Sequence, residues 1–282
     1  MRTLIFGSRG QLGRDLMPVF GAEGPVLGCD LPEVDIADAA QVREAVKDFR
    51  PDWIVNAAAY TDVEKAEENR EAAFRVNELG ARTVANASKD AGASIVYFST
   101  DFVFDGASDV PYQPGDRAAP LNVYGASKAA GEAATRVANP RCLIIRTAWL
   151  FGPGGNNFVE KILRAAAERP ELRVVEDEIG SPTHTLDLAE AALALVRAGV
   201  YGVYHAANSG FCSRFEFASA ILSQADLDTP LSPCRSDSFP SKVRRPRFSA
   251  LSSTLVEAVT GYAMRPWRDA LSHYLKRRGE TA

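Results

Sequence analysis

Short apolar runs alternate with longer amphipathic segments along the first half of the chain. Runs of three to six apolar residues predict strands, whereas apolar side chains at helical spacing predict helices. The predicted strands cover residues 3–6, 26–29, 53–56, 94–99 and 142–147, and the predicted helices cover residues 11–20, 39–49, 72–91 and 123–137. Strands that alternate with crossover helices predict an α/β fold with a doubly wound, Rossmann-type parallel sheet.

The pattern changes after residue 150. A Gly-Pro-Gly-Gly loop follows, with helices predicted over residues 158–168, 186–197 and 215–225, and residues 230–246 are predicted to form a loop. We therefore predict a Rossmann domain over residues 1–150 and a smaller, mainly substrate-binding lobe over residues 151–282. A short apolar run at residues 202–206 predicts a strand that returns to the first domain.

Composition and charge narrow the range of functions. Hydrophobic residues make up 46% of the 282 residues and charged residues 24%, which is ordinary for a folded globular chain. The net charge of −4 lacks the broad positive field typical of proteins that bind nucleic acid or anionic membranes. No apolar run approaches the length of a membrane span or a signal peptide, so we expect a cytoplasmic protein that acts on small molecules. The four cysteines and three histidines are scattered, and their spacing predicts no metal site.

Three glycines lie between the first predicted strand and the first predicted helix, at Gly7, Gly10 and Gly13. A glycine-rich turn at this place lets the backbone approach a pyrophosphate, whose charge is met by N–H groups and the helix dipole. Arg9, inside the loop, could contact a phosphate or be an exposed turn residue. The loop candidates for cofactor binding are Gly7, Arg9, Gly10, Gln11, Leu12 and Gly13.

The ends of the second and third strands hold further cofactor-binding candidates. Asp30 lies about 20 residues beyond the loop, where an acidic side chain accepts hydrogen bonds from an adenosine ribose and favours NADH. NADPH stays open, because Arg9 could neutralise a 2′-phosphate and Asp30 could instead cap the following turn. Asp35 and Ile36 could flank the adenine, although Asp35 or Asp38 could equally be a helix N-cap. Small side chains after the third strand would let a cofactor lie close to the backbone at Ala57, Ala58, Ala59 and Tyr60.

Tyr124 and Lys128 are four residues apart in a predicted helix. This spacing places them about 6 Å apart along one helical face, so we expect the ammonium to stabilise the phenolate and lower the pKa of Tyr124. Reduction of a ketone by hydride forms an alkoxide, which needs such a proton donor. Thr100 ends a predicted strand and could hydrogen-bond the same carbonyl. Thr100, Tyr124 and Lys128 are therefore the predicted catalytic set, with Tyr124 and Lys128 also beside the cofactor.

Several segments resemble the extended short-chain dehydrogenase/reductase superfamily, and most closely its dTDP-4-dehydrorhamnose reductase family. The resemblance covers nearly the whole chain and is carried by residues 7–13, 56–61, 99–106 and 124–128. The segments that separate this family from general epimerases are residues 120–125, 146–149, 156–158 and 180–183. The resemblance implies a Rossmann fold, NADPH or NADH as cofactor and a nucleotide-sugar substrate.

The resemblance also implies roles for individual residues. Thr100, Tyr124 and Lys128 would be the catalytic set, and Trp149 and Asn157 would lie near the nucleotide sugar. Arg245, in a basic segment at residues 242–247, could neutralise the substrate diphosphate, or the segment could be a solvated basic loop.

Oligomeric state and metal dependence are left open by the sequence. Some family members are described as homodimers joined through Mg²⁺ held by clustered glutamates. Asp15 lies near the expected position in the first helix, but no full glutamate set can be placed. Mg²⁺ is therefore an option without assigned ligands, and a homodimer is an option for the assembly.

Three functions compete at this point. The first is reduction of the C4 ketone of dTDP-4-dehydro-β-L-rhamnose to dTDP-L-rhamnose, the last step in making that nucleotide sugar. The second is a different enzyme of the same superfamily: a reductase or epimerase of another nucleotide 4-keto-6-deoxy sugar, or a 4,6-dehydratase. Phe102 occupies the place where the dehydratases carry a catalytic Glu, which disfavours dehydration. The third is a non-catalytic NAD(P)-binding regulatory subunit like the β subunit of methionine adenosyltransferase, which would not need an intact proton-transfer set.

Overall fold

The computed structural model describes residues 1–239 and 241–280 of the chain. All of the strands predicted in the first half are present, with bounds that differ by at most one residue. In chain order the strands are β1 (Thr3–Phe6), β2 (Val26–Cys29), β3 (Trp53–Asn56), β4 (Ser94–Thr100), β5 (Cys142–Thr147), β6 (Leu150–Phe151), β7 (Leu172–Val175), β8 (Ile179–Gly180), β9 (Thr183–His184), β10 (Gly202–His205), β11 (Cys212–Ser213) and β12 (Leu231–Cys234).

The helices follow the predicted alternation, with several that the pattern did not show. In chain order they are α1 (Gly13–Gly21), α2 (Ala39–Phe49), α3 (Val63–Glu68), α4 (Arg70–Phe74), α5 (Ala81–Asp90), α6 (Val123–Ala138), α7 (Phe158–Glu168), α8 (Thr185–Arg197), α9 (Arg214–Gln224), α10 (Thr254–Thr260) and α11 (Trp267–Glu280). A π-helical turn, Arg75–Gly80, joins α4 to α5, so the predicted helix over residues 72–91 is one continuous but irregular element.

In the part of the chain that the structure describes, six parallel strands form the main sheet in the order β10-β5-β4-β3-β1-β2. Both β2 and β3 pair with β1, so the direction in which the chain winds across the sheet reverses at β1. At such a switch point the loops that follow the two neighbouring strands diverge and leave a crevice at the carboxyl ends. The glycine loop follows β1 and the alanine segment follows β3, and both therefore border this crevice.

Helices cover both faces of the sheet, which confirms the doubly wound fold. On one face α1 packs against α8 around Leu16, Phe20 and Leu188. On the other face α2 and α5 enclose Val42 and Val84. Every residue of β4 is buried, as expected for a parallel strand covered on both sides.

The second half of the chain is divided between the sheet and a smaller lobe. The predicted strand over residues 202–206 is β10, which pairs in parallel with β5 and returns to the main sheet as expected. Helices α7, α9 and α11 pack with the β7–β12 pair around a separate apolar cluster that includes Phe151, Phe217 and Trp267. The boundary near residue 150 stays a prediction.

The prediction of a loop over residues 230–246 is wrong for its first part. Residues Leu231–Cys234 form β12, which pairs in parallel with β7. Proline and polar residues suggested a loop, but backbone hydrogen bonds to β7 supply the partner that an isolated strand lacks. Among the described residues, no helix is long and apolar enough to cross a membrane.

Candidate active site

The glycine loop is packed too tightly for side chains. Gly7 has a φ of +81°, and a Cβ at this position would lie 2.6 Å from the Ala58 nitrogen. At Gly13 a Cβ would lie 2.1 Å from the Gly7 carbonyl oxygen. Within the described part of the chain, the backbone N–H groups of Gln11 and Leu12 have no hydrogen-bond partner. The loop thus presents free N–H donors at the start of α1, where an anion can bind.

Asp30 joins the end of β2 to this loop. One carboxylate oxygen accepts the Arg9 backbone N–H at 2.8 Å, and the other accepts the Leu31 N–H at 2.9 Å. The Arg9 guanidinium is exposed and binds the Glu33 carboxylate and the Leu31 carbonyl. For each residue the structure shows one of the two options that the sequence left open. Asp30 bonds the backbone of the adjacent turn, and Arg9 is an exposed turn residue. Their contacts with a ribose or a phosphate stay predictions.

Asp35 and Ile36 lie beyond this turn. The Asp35 carboxylate binds the Arg75 guanidinium and accepts the Ala37 N–H at 2.9 Å. Asp38, the other N-cap candidate, is the residue that caps α2, through bonds from two N–H groups in its first turn. The Ile36 side chain is buried against Gly80 at the end of the π-helical turn.

The start of α6 places Tyr124 over the carboxyl end of β4. Asn122 caps the helix by accepting the Gly125 N–H at 2.8 Å, and Glu67 accepts the Val123 N–H at 2.7 Å. Tyr124 is half-buried, its ring packs edge-on against Phe102 with 5.7 Å between ring centres, and Thr100 is near enough to act on the pKa of the Tyr124 phenol. The structure thus brings the predicted proton donor and the predicted carbonyl-orienting residue together.

Lys128 lies one turn further along α6 and points at the strand beneath the helix. Its ammonium donates to the Phe98 carbonyl at 2.6 Å and lies 4.1 Å from the centre of the Tyr97 ring. Burial lowers the pKa of Lys128 to about 7. Burial also raises the pKa of Tyr124 to about 12, which is opposite to the lowering expected from the sequence. The helical spacing does put both residues on one face, but the β4 carbonyl takes the ammonium.

Asn77 is a site residue that the sequence analysis missed. It lies in the π-helical turn, and its side chain accepts the Tyr60 N–H at 2.9 Å while donating to the Tyr60 carbonyl at 3.1 Å. The same amide donates to the Ser127 hydroxyl at 2.9 Å. Asn77 therefore fastens the segment after β3 to α6. In the sequence, Asn77 lies at helical spacing between the small apolar Ala73 and Ala81, and a polar residue on such a face, buried here, is the signal that points to such a role.

Asp101 was also missed. It is 2% exposed, and its carboxylate accepts the Thr100 hydroxyl at 3.0 Å and the Ser249 hydroxyl at 2.6 Å. Burial raises the pKa of Asp101 to about 6. The Ser249 contact comes from a distant part of the chain, so no local pattern could reveal it.

The predicted substrate-binding residues of the lobe have different surroundings. Trp149 has a positive φ of 45° and lies under the guanidinium of Arg214. Asn157 caps α7 and donates from its amide to the Gln11 side chain at 3.0 Å, which links the lobe to the glycine loop. Arg245 pairs with Glu64 of α3. The Trp149 side chain is thus half-buried against Arg214, and the side chains of Asn157 and Arg245 are engaged by other residues of the protein.

Comparison with known proteins assigns the chain to a family. A family model described as the RmlD substrate binding domain matches residues 1–279. A dTDP-4-dehydrorhamnose reductase of Mycobacterium tuberculosis is 41% identical over 279 residues, covering 96% of this chain and 91% of that protein. The chain belongs to the dTDP-4-dehydrorhamnose reductase family.

Two further similar proteins are reductases whose names state a cofactor or a substrate. The crystal structure of a dTDP-4-dehydrorhamnose reductase from Bacillus anthracis in complex with NADP has a TM-score of 0.94 and 38% identity, and covers 98% of this chain and 99% of that one. A dTDP-4-keto-6-deoxy-D-glucose reductase of Streptomyces niveus is 38% identical over 274 residues, covering 96% of this chain and 95% of that protein.

Mg²⁺, which the family resemblance left open, finds no ligand cluster. Within residues 1–239 and 241–280, no group of three or more His, Cys, Asp or Glu side chains is arranged to hold a metal ion. Asp15, the one candidate, is buried and accepts the Thr185 hydroxyl at 2.6 Å, with Arg277 at 3.5 Å. Its surroundings satisfy the carboxylate without a metal.

Proposed function

We propose that the protein reduces the C4 ketone of dTDP-4-dehydro-β-L-rhamnose to give dTDP-L-rhamnose, with NADPH or NADH as the reductant. The observation that carries the proposal is the meeting of the start of α6, with Tyr124 and Lys128, and the carboxyl end of β4, where β4 ends at Thr100 and Lys128 donates to the Phe98 carbonyl. Membership in the reductase family supports the same chemistry.

The residues around the crevice fit a nicotinamide dinucleotide. The glycine loop has no room for a Cβ at Gly7 or Gly13, and it keeps backbone N–H donors free for a pyrophosphate. The segment after β3 is only half-buried, so a cofactor can contact it at Ala57, Ala58, Ala59 and Tyr60. When bound, the reduced nicotinamide supplies the hydride.

Tyr124 supplies the proton. Its pKa of about 12 keeps the phenol protonated throughout the physiological pH range, which is the form a donor needs. An alkoxide is more basic than a phenolate, so transfer to it remains favourable. Thr100 lies near Tyr124, and its single hydroxyl proton, donated to Asp101 in this structure, turns to the carbonyl that is to be reduced when the ketone binds.

Lys128 holds the end of β4 in place and provides the buried positive group on this face of α6. Its bond to the Phe98 carbonyl fixes the backbone two residues before Thr100. With a pKa of about 7, Lys128 is about half protonated near neutral pH and can take part in returning a proton to Tyr124.

Reduction of another 4-keto-6-deoxy sugar is the second candidate, favoured by the similarity to the Streptomyces niveus reductase. The regulatory hypothesis is disfavoured. A subunit without catalysis does not need Thr100, Tyr124 and Lys128 gathered at the carboxyl end of one strand, β4.

The test is to follow oxidation of NADPH, and separately NADH, by the purified protein with each of the two dTDP-4-keto sugars. We expect turnover with dTDP-4-dehydro-β-L-rhamnose and a product that co-elutes with dTDP-L-rhamnose. Faster turnover of dTDP-4-keto-6-deoxy-D-glucose would support the second candidate. Tight coenzyme binding without turnover of either sugar would contradict both enzymatic functions.

A further inference from the structure

Glu132 and Arg146 form a buried ion pair under α6 that the proposed mechanism does not use. The Arg146 guanidinium of β5 donates from Nε to one carboxylate oxygen at 2.8 Å and from Nη2 to the other at 2.7 Å. The Ser99 hydroxyl of β4 donates to the same carboxylate at 2.5 Å. The side chains of Glu132 and Arg146 are 8% and 7% exposed. Buried ion pairs add little net stability, because the loss of hydration offsets the attraction, so stability alone does not account for this pair.

Glu132 lies one helical turn beyond Lys128, which itself lies one turn beyond Tyr124. Residues at this spacing share one face of a helix. Lys128 donates to the Phe98 carbonyl at 2.6 Å, and the next residue of β4, Ser99, donates to Glu132. Consecutive residues of one strand therefore hold the ammonium and the carboxylate on the same buried side of α6. Solvent and salt screen the attraction between opposite charges very little in such a place.

Arg146 holds the Glu132 carboxylate from the neighbouring strand. Ser99 and Arg146 are paired residues of β4 and β5. The guanidinium also donates to the Pro114 carbonyl at 3.3 Å and lies 5.1 Å from the centre of the Phe104 ring. Because Arg146 is fixed by these contacts and binds both carboxylate oxygens, the carboxylate has one defined position.

Glu132 supplies a charge that favours the ammonium form of Lys128. Burial lowers the pKa of Lys128 to about 7, and the Glu132 carboxylate opposes that lowering. In the part of the chain that the structure describes, Lys128 forms no direct ion pair, so the carboxylate acts on it through space. The centre of the Tyr97 ring lies 4.1 Å from the ammonium, and Asp101, in the turn after β4, acts on Tyr124 instead.

The remaining charged groups on the elements that pack against α6 are engaged elsewhere or exposed. Glu67 of α3 accepts the Val123 N–H at the start of α6, and Glu78 of the π-helical turn pairs with Arg82. The other charged side chains of α3, α4, α5, that turn and the far end of α6 are exposed, where water and salt screen them. Among the described residues, the Glu132 carboxylate is thus the charge that acts on the ammonium.

We propose that Glu132 is a positioning residue, which keeps Lys128 in its charged form so that a proton can return to Tyr124. The assignment rests on the proposed function, because this return follows the reduction of a ketone. After Tyr124 gives its proton to the alkoxide, the Lys128 ammonium gives one to the phenolate, and the resulting amine regains one from water. A neutral amine cannot return that proton, so the carboxylate determines how much of the enzyme is ready for the next turnover at a given pH.

The test is the pH titration of Lys128 in the full-length protein, followed by NMR of lysine labelled with ¹³C at Cε. The signal that is missing from Lys128→Met identifies the residue. Glu132→Gln should move the titration midpoint to lower pH by about one pH unit or more, because it removes the opposite charge. Arg146→Gln should move the midpoint to higher pH, since Glu132 is then no longer neutralised. Ser99→Ala is the matched control, because it removes a bond to the same carboxylate but no charge, and its midpoint should stay near that of the wild type.

Thermal stability and coenzyme affinity are measured for each variant to show that it is folded. An unchanged midpoint in a folded Glu132→Gln protein would overturn the assignment. A shift in the same direction in Glu132→Gln and Arg146→Gln would also overturn it, since disturbed packing would act alike in both. If Glu132→Gln does not fold because Arg146 is left buried and unpaired, the double variant Glu132→Gln/Arg146→Gln takes its place. Its midpoint should also lie at lower pH, and an unchanged midpoint there would overturn the assignment.

The pH dependence of turnover connects this titration to the reaction. The value of kcat should fall as the pH rises through the Lys128 midpoint, and this fall should move with the midpoint in each variant. A fall that stays in place while the midpoint moves would overturn the role in turnover. Because the titration needs no substrate, a moved midpoint in a protein that reduces neither sugar would reject the proposed reaction and sustain Glu132 as the residue that sets the charge of Lys128.

Discussion

The two sides of the cleft hold their candidate functional side chains in different ways. The sheet wall is the end of β4 with the start of α6, and the lobe wall is the basic segment at residues 242–247, which contacts α3. On the sheet wall, Thr100 is 6% exposed and donates to Asp101, directly after β4, and Lys128 is 3% exposed and donates to the Phe98 carbonyl of β4. On the lobe wall, Arg245 forms an ion pair with Glu64 of the neighbouring helix α3, and the two side chains are 30% and 52% exposed. Buried hydrogen bonds hold one geometry, whereas exposed ion pairs contribute about 0–1 kcal/mol and exchange partners readily. The proposed proton-transfer groups are thus fixed before any ligand binds, whereas the exposed Arg245 can exchange Glu64 for another anion.

The largest expected effect is on turnover in the variant Tyr124→Phe, which tests the proposed proton donor on the sheet wall. Removing the phenol should lower turnover by at least about 100-fold, because it removes the proton donor and leaves the ring in contact with Phe102. Coenzyme affinity should stay within a few-fold of the wild type. Steady-state kinetics and a coenzyme titration measure the two effects. Tyr204→Phe, on the edge strand β10, is the control, and near-normal turnover of Tyr124→Phe would reject Tyr124 as the donor.

Gly13→Ala tests whether the close packing of the glycine loop is needed for coenzyme binding. The added Cβ would lie 2.1 Å from the Gly7 carbonyl, so the loop must shift. We expect coenzyme binding to weaken by about tenfold or more, equivalent to a shift that costs at least about 1.4 kcal/mol. Gly21→Ala at the other end of α1 is the matched control, because a Cβ there meets no atom within 4 Å. Equal coenzyme affinity in the two variants would show that the loop does not approach the cofactor.

The pH dependence of stability reports on Asp101, which supports Thr100 from below. Its pKa is raised from 3.8 to about 6 in the folded protein, so the stability it contributes is present below pH 3.8 and is lost as the pH rises through 6. Between pH 5 and pH 7 this loss amounts to about 1 kcal/mol. Asp101→Asn keeps the shape and should remove that part of the pH dependence. Urea unfolding at the two pH values measures it, and an identical pH dependence in the variant would contradict burial of the ionised carboxylate.

The smallest expected effect is on ligand binding at the lobe wall, where Arg245 is paired with Glu64. Glu64→Gln should release Arg245 from its ion pair and tighten dTDP binding by about two- to fivefold, since an exposed pair contributes less than about 1 kcal/mol. Glu68→Gln is the control, because it releases Lys242 instead, which is paired at 3.0 Å. Weaker dTDP binding in Glu64→Gln than in Glu68→Gln would mean that Glu64 positions Arg245 rather than competing for it.

Local sequence patterns were sufficient to predict the secondary structure that carries the sheet wall. The order of strands and helices, the glycine loop after β1 and the Tyr124–Lys128 pair all follow from residues within one element or one turn. Periodicity and turn chemistry depend on neighbouring residues, which is why these features could be predicted. The strand β12 could not, because it exists through its pairing with β7 and not through its own composition.

The sequence by itself determined the fold class, the cofactor loop and the identity of the candidate proton-transfer residues. Only the tertiary structure decided what each side chain contacts: Lys128 turns to the Phe98 carbonyl, Asp101 meets Ser249 from 148 positions away, and Arg245 meets Glu64 from 181 positions away. These contacts decide the pKa of a group and its freedom to bind a ligand. They depend on burial and on partners brought together by the sheet and the lobe, and neither is encoded in the residues adjacent to them in the chain.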